Sequence, residues 1–215
     1  MDVSTSKGRM IRFGGIALLF GSFLMLGRVC FFLGIPAPPG NDGSIVNWAA
    51  NAHFGLAMSN ELLFFAVFAM LPASIALFLL FYEQNLAKAV FGCGIILISV
   101  PIVSLLNIIH GRLVYPVFGV LLSEESARYT ISVFSGGMHA INLMYAVALV
   151  TLGLAMRNQQ WGSRYLILSS IVAVSEIAGA YPWVLGHLGD GITQTMYVVW
   201  LASIGIKVVT LRYTT

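Results

Sequence analysis

A small set of side chains able to bind ligands or move protons interrupts long apolar runs. Glu61 and Glu176 are carboxylates, His110 and His139 are imidazoles, and Arg28 is the only arginine deep inside such a run. Asn107, Asn142 and Tyr181 lie close by in sequence. Glu61, Glu176, His110 and His139 are candidate acid–base groups, because a carboxyl or imidazole in an apolar setting can hold or release a proton near neutral pH. Arg28, Asn107, Asn142 and Tyr181 are candidate ligand-binding groups, with Arg28 suited to an anionic or carbonyl oxygen. Spacing supports shared helix faces: Asn107 and His110 are three apart, and so are His139 and Asn142, with Tyr145 continuing the second stripe.

The elements that hold these groups follow from composition. The chain has 215 residues, 59% hydrophobic and 9% charged, with mean hydropathy +0.91. A soluble domain carries about 25% charged residues, so this surface is too apolar for water. In lipid only helices or closed barrels satisfy the backbone. A barrel would alternate apolar and polar residues, whereas these runs are unbroken, so the expected fold is all-α, a polytopic transmembrane bundle in one domain, 1–215.

About 20 apolar residues span a bilayer core, and six segments qualify: 13–35, 54–82, 89–110, 129–156, 165–185 and 193–211. The first resembles a signal peptide but is too long and lacks a convincing cleavage site, so it reads as a retained span. Lys7, Arg9, Arg12, Lys88, Arg157, Arg164, Lys207 and Arg212 fall on one side of the alternation. The other side holds Asp42, Glu124, Glu125 and Asp190, with Arg112 and Arg128 its only basic residues. Positive charge marks the cytoplasmic side, which places the chain in the cell membrane as a multi-pass protein with cytoplasmic N- and C-termini. The short connections, such as 83–88 and 158–163, are cytoplasmic. The longer 36–53 and 111–128 are outside, and Ile45, Val46, Trp48, Ala49 and Ala52 fit either a short surface helix or an outward extension of span two.

Each ionisable group at a helix centre costs at least about 2.5–3.5 kcal/mol in lipid and needs a partner or an aqueous cavity. At ~1.5 Å per residue Arg28 lies roughly 22 Å above the inner end of span one. The other polar groups fall at similar heights on four further spans, while the matching inner positions are nearly all aliphatic or Phe. A polar pocket open to the outer face follows, with Arg28 pairing with Glu61 or Glu176. The competing reading is that Arg–Glu pairs and His–Asn hydrogen bonds only knit the bundle. Pro72 and Pro101, near the centres of spans two and three, should kink them or free a carbonyl. Gly14, Gly21, Gly27, Gly92, Gly94, Gly136, Gly137 and Gly179 would let helices approach closely.

Other chemistries are weaker. No cofactor is expected; haem through His110 and His139 is the one option weighed, without a diagnostic spacing. Cys30 and Cys93 form no metal or disulfide pattern. Lys207 sits too near the inner end for a Schiff-base role and reads as a snorkelling anchor. Phosphate-loop, metal-hydrolase and GxSxG motifs are missing. A net charge of +3 is explained by topology and implies no nucleic acid. An apolar inner half argues against a simple pore. The expected partners are membrane lipid and a small amphiphilic ligand. The alternative is a transporter-like, sensory or assembly subunit with purely structural polar residues. Whether the protein is an enzyme and how it oligomerises stay open.

The run GGMHAINLMYAVALVTLGLAMRNQQWGSRYLIL (136–168), with the basic N-terminus and long outer first loop, resembles a broad group of functionally uncharacterised bacterial six-span membrane proteins. There a glycine-rich span similarly leads into a short basic turn and another apolar span. The resemblance implies a six-helix fold over most of the chain and transfers no site residues.

Overall fold

A computed structural model describes residues 3–157 and 161–211, with backbone alone at 3–5. Every regular element among them is helical: α1 (Val3–Leu33), α2 (Ile45–Asn51), α3 (His53–Gly111), α4 (Glu124–Arg157), α5 (Ser163–Gly179) and α6 (Pro182–Thr210), with one 3₁₀ turn at Val117–Gly119. Four are long and apolar enough to cross a membrane: Ser6–Leu33, His53–Gly111, Glu124–Arg157 and Pro182–Thr210. Arg212 and the 158–160 part of the expected turn lie outside the described residues.

Spans two and three form the single element α3, interrupted only at Asn85 (φ −144°, ψ 54°). Asn competes with the helix for its own backbone groups, and its side chain accepts a hydrogen bond from Lys88 Nζ at 3.2 Å. The two arms of α3 return side by side: Ser74 Oγ donates to the Cys93 carbonyl at 2.9 Å and Asn107 Nδ2 to the Asn60 carbonyl at 3.0 Å. Backbone angles stay helical through Pro72 and Pro101, and the one non-helical residue in α3 is Asn85 at the bend.

The fifth segment ends earlier than expected. Pro182 lacks an N–H and pushes the residue before it out of the helical region; Tyr181 has φ −120° and ψ 59°. Consequently α5 stops at Gly179 after 17 residues, and α6 starts at Pro182 and is interrupted at Gly186 (φ 71°, ψ 174°). Asp190 therefore lies on a helix rather than in a loop. On the same end of the bundle, α2 is a separate short helix with Ile45 and Ala49 buried, and α3 begins two residues after it. Both readings of 43–59 hold in part.

The helices close into a ring in which α1 packs on α3, α3 on α4, α4 on α5, α5 on α6, and α6 back on α1. Some of the noted glycines make these approaches possible. A Cβ at Gly14 would sit 2.1 Å from Ala76 Cβ and 2.6 Å from the Pro72 carbonyl oxygen, whereas Gly94 and Gly136 face open space. One end of the ring, here the lower, carries Lys7 beside Glu83 at 2.5 Å and Trp161 against Phe81. It is filled by fully buried Phe81, Leu77, Leu152, Met156, Trp200 and Val208. Trp200 Nε1 donates to Ser169 Oγ at 2.8 Å and ties α6 to α5 inside that plug. The upper end is not filled, and the site lies there.

Candidate functional site

Between the helices of the upper half lies a cavity of about 500 Å³, within the range of small-molecule sites. Its rim carries Pro36, Trp48 and Trp183. Apolar side chains from α1, α3 and α6 make a shaft of Met25, Leu63, Val67, Met70, Val103 and Leu201. Met70 is roughly 25 Å along α3 from the helix start, so the cavity descends well into the bundle. Tyr145 and Tyr197, stacked at 5.3 Å between ring centroids, line its deep part, where Ser99 Oγ, donating to the Ile96 carbonyl, accepts from the Tyr145 hydroxyl at 3.0 Å.

Polar groups converge above that shaft. Arg28, 7% exposed, donates through Nη1 to the Gln194 side-chain oxygen of α6. Among the described residues its buried Nε has no partner. Asp190, one turn before Gln194 and on the same helix face, also lines the cavity and is the acidic group whose charge reaches Arg28. Glu176 of α5 is 6% exposed and lines the cavity. Among the described residues nothing hydrogen-bonds to its carboxyl group. The expected pairing of Arg28 with Glu61 or Glu176 is thus corrected: Gln194 holds the guanidinium, and the two glutamates are elsewhere engaged or free.

The histidines are oriented by their neighbours. His139 Nδ1 lies 2.7 Å from the Ala180 carbonyl; a carbonyl only accepts, so Nδ1 carries a proton and the acceptor of the neutral ring is Nε2. The backbone break after α5 supplies that carbonyl. His110 Nδ1 donates to Asn60 Oδ1 at 2.8 Å, and its ring stacks on Phe134 at 4.2 Å. Both imidazoles line the cavity, as does Asn142.

Three candidates stand apart. Glu61 is exposed on the outside of α3, where its Oε1 accepts from the Tyr115 hydroxyl at 2.9 Å. Asn60, its neighbour, is 4% exposed and lines the cavity. Glu61 points about 100° round the helix from Asn60, which carries it out of the cavity while the amide faces in. Asn107 is buried behind Asn60 and bonded to its carbonyl, which suits the structural reading. Tyr181 is 41% exposed and packs edge-on against His139 without lining the cavity.

Asn60, His187, Asp190 and Gln194 join the site without having been chosen from sequence as site residues. His187 and Asp190 fall between the expected fifth and sixth segments, in a stretch that reads as loop, and Gln194 is an uncharged residue at the edge of an apolar run. The one available signal was the four-residue spacing of Asp190 and Gln194. Compared with known proteins, the chain matches no family model, no curated protein and no solved structure.

Proposed function

We propose that this is a multi-pass membrane protein that binds a single-chain, lipid-like amphiphile, with the head among Arg28, Glu176, His110 and His139 and the tail in the shaft below. The six rods (α1, the two arms of α3, α4, α5 and α6) would each cross the bilayer, with both termini cytoplasmic and the cavity facing outward, as the distribution of basic residues requires. The observation that carries the reading is a polar-over-apolar cavity in which Arg28 and Glu176 are more than nine-tenths buried yet not saturated by protein partners. Polar groups so costly to bury are functional by default in a membrane. Arg28 would donate to an oxygen of the ligand. A second reading, acid–base turnover of that ligand, is favoured by the fixed tautomer of His139, whose bare Nε2 can accept a proton, with Glu176 as its acidic counterpart.

The test is binding of radiolabelled dodecanoylglycerol, a neutral single-chain probe, to the protein in lipid nanodiscs, with empty discs subtracted. Met70→Trp fills the shaft and should weaken binding by at least about tenfold, near 1.4 kcal/mol. Phe68→Trp, on the exposed side of the same arm, should not. Equal binding by both variants and the parent would show that the cavity takes no tail, and the polar groups would then be structural, as in a non-enzymatic transporter-like, sensory or assembly subunit.

A further inference from the structure

The charges around the cavity do not cancel once Glu176 is ionised. Arg28 contributes one positive charge, since a guanidinium does not deprotonate in proteins. Asp190 offsets it from the next turn of the helix that carries Gln194. Glu176 is then the group without a counter-charge: its carboxyl is buried, faces the cavity, and receives no hydrogen bond among the described residues. The other acidic residue in the cavity, Asp190, adds to its negative field. A carboxyl in this setting stays protonated unless a cation stands beside it, and Arg28, turned to Gln194, makes no salt bridge with it among the described residues.

The walls have the same preference. Phe32, Trp48, Phe134 and Trp183 line the upper cavity. Ring faces attract cations, and aromatic walls are a recurrent way of holding quaternary ammonium groups. Two of the three histidines have their Nδ1 atoms engaged by protein oxygens, His110 by Asn60 and His139 by Ala180; His187 lies against the Phe32 ring at 4.2 Å with its Nε2 unpartnered among the described residues. The unpartnered Nε–H of Arg28 asks for an acceptor, which a neutral hydroxyl, ether or ester oxygen near the head supplies without adding negative charge.

We infer that the ligand head is a cation, so that the bound molecule is a single-chain amine or quaternary ammonium amphiphile whose nitrogen lies between Glu176 and the aromatic walls. This rests on the amphiphile-binding reading above and adds the sign of the head. An anionic single chain, such as a fatty acid or an alkyl sulfate, would meet two carboxylates and one already engaged arginine.

The experiment is competition for bound dodecanoylglycerol by three probes sharing the dodecyl tail: dodecyltrimethylammonium, dodecylphosphocholine and dodecyl sulfate. Discs of zwitterionic lipid are used, and each probe is corrected for partition into empty discs. The cation should compete at least about tenfold better than the sulfate. Glu176→Gln should remove most of that preference, each probe being read against the variant's own affinity for dodecanoylglycerol, and Asp190→Asn should reduce it as an independent check. Sulfate competing as well as the cation in the parent protein overturns the inference. So does a preference that survives both substitutions. Failure of dodecanoylglycerol itself to bind overturns the amphiphile reading instead, so the two failures are separable.

Discussion

At the scale of single residues, the polar side chains of the upper bundle fall into two kinds. Asn60, Asn107 and His110 are bonded to one another: one amide oxygen holds the imidazole and one backbone carbonyl holds the second amide, although Asn60 Nδ2 and Asn107 Oδ1 have no partner among the described residues. Removing a member leaves buried polar groups without partners, at about 1–3 kcal/mol. Asn60→Ala should therefore lower the thermal midpoint in detergent clearly, while Asn142→Ala should leave it nearly unchanged, since no protein partner depends on that side chain among the described residues. Arg28 and Glu176 belong to the other kind, groups whose partners the protein does not fully supply. Glu61 is simpler. Burial first, then the Glu61 hydrogen bond and charge, hold the Tyr115 phenol above its ordinary range. Replacing the carboxylate by an amide removes the charge and leaves a weaker, neutral acceptor, so Glu61→Gln should move the Tyr115 titration downward, as followed by the ¹³C resonance of labelled tyrosine. Ligand binding should not change.

At the scale of elements, two glycines test different constraints. Gly186 occupies a region of backbone space open in practice only to glycine, with unobstructed space around it. Gly186→Ala therefore carries only the backbone cost of about 1–3 kcal/mol. Because the bend it makes sets Trp183 and His187 at the cavity mouth, ligand affinity should fall together with the thermal midpoint. Gly14 is helical, and its constraint is contact: an added methyl meets the backbone of α3. Gly14→Ala should destabilise the α1–α3 packing, whereas Gly94→Ala, facing open space, should be neutral or slightly stabilising by helix propensity. The short helix over the rim depends on α4. Glu124 accepts from Ser44 Oγ and from the Ile45 and Val46 amides at 2.8–3.2 Å, and Arg128 reaches the Gly40, Asn41 and Gly43 carbonyls. These groups are largely solvated, so Glu124→Ala should cost little global stability. It should raise hydrogen exchange across 44–51 selectively.

At the scale of the whole molecule, a ring of helices is plugged at one end and hollow at the other. The plug is made of large residues that interlock, Phe81 with Trp161 and Trp200 with Ser169. The hollow end has rings and polar heads around unfilled volume. Orientation in the membrane is testable with single cysteines in a background lacking Cys30 and Cys93. A membrane-impermeant maleimide applied to intact cells should label a cysteine at Leu121, exposed at the upper end, and should label one at Leu86, exposed beside the lower bend, only after permeabilisation. The reverse pattern would turn the cavity toward the cytoplasm.

Composition and run length alone determined that the chain is helical and suited to lipid, because too few charged residues exist to face water and long apolar runs can satisfy their backbones only internally. They also picked out Arg28, Glu176, His110, His139 and Asn142, all of which line the cavity, because ionisable groups among aliphatic ones are conspicuous by cost. Which side of a helix faces inward was decided only by tertiary packing: Asn60 turned in and its neighbour Glu61 turned out, a choice that depends on where α1 and the second arm of α3 press against the first. The same holds for Gln194 and Asp190. Their role exists only because a proline ended α5 early and drew α6 up beside Arg28, and no property of those two residues by themselves announces what will stand opposite them.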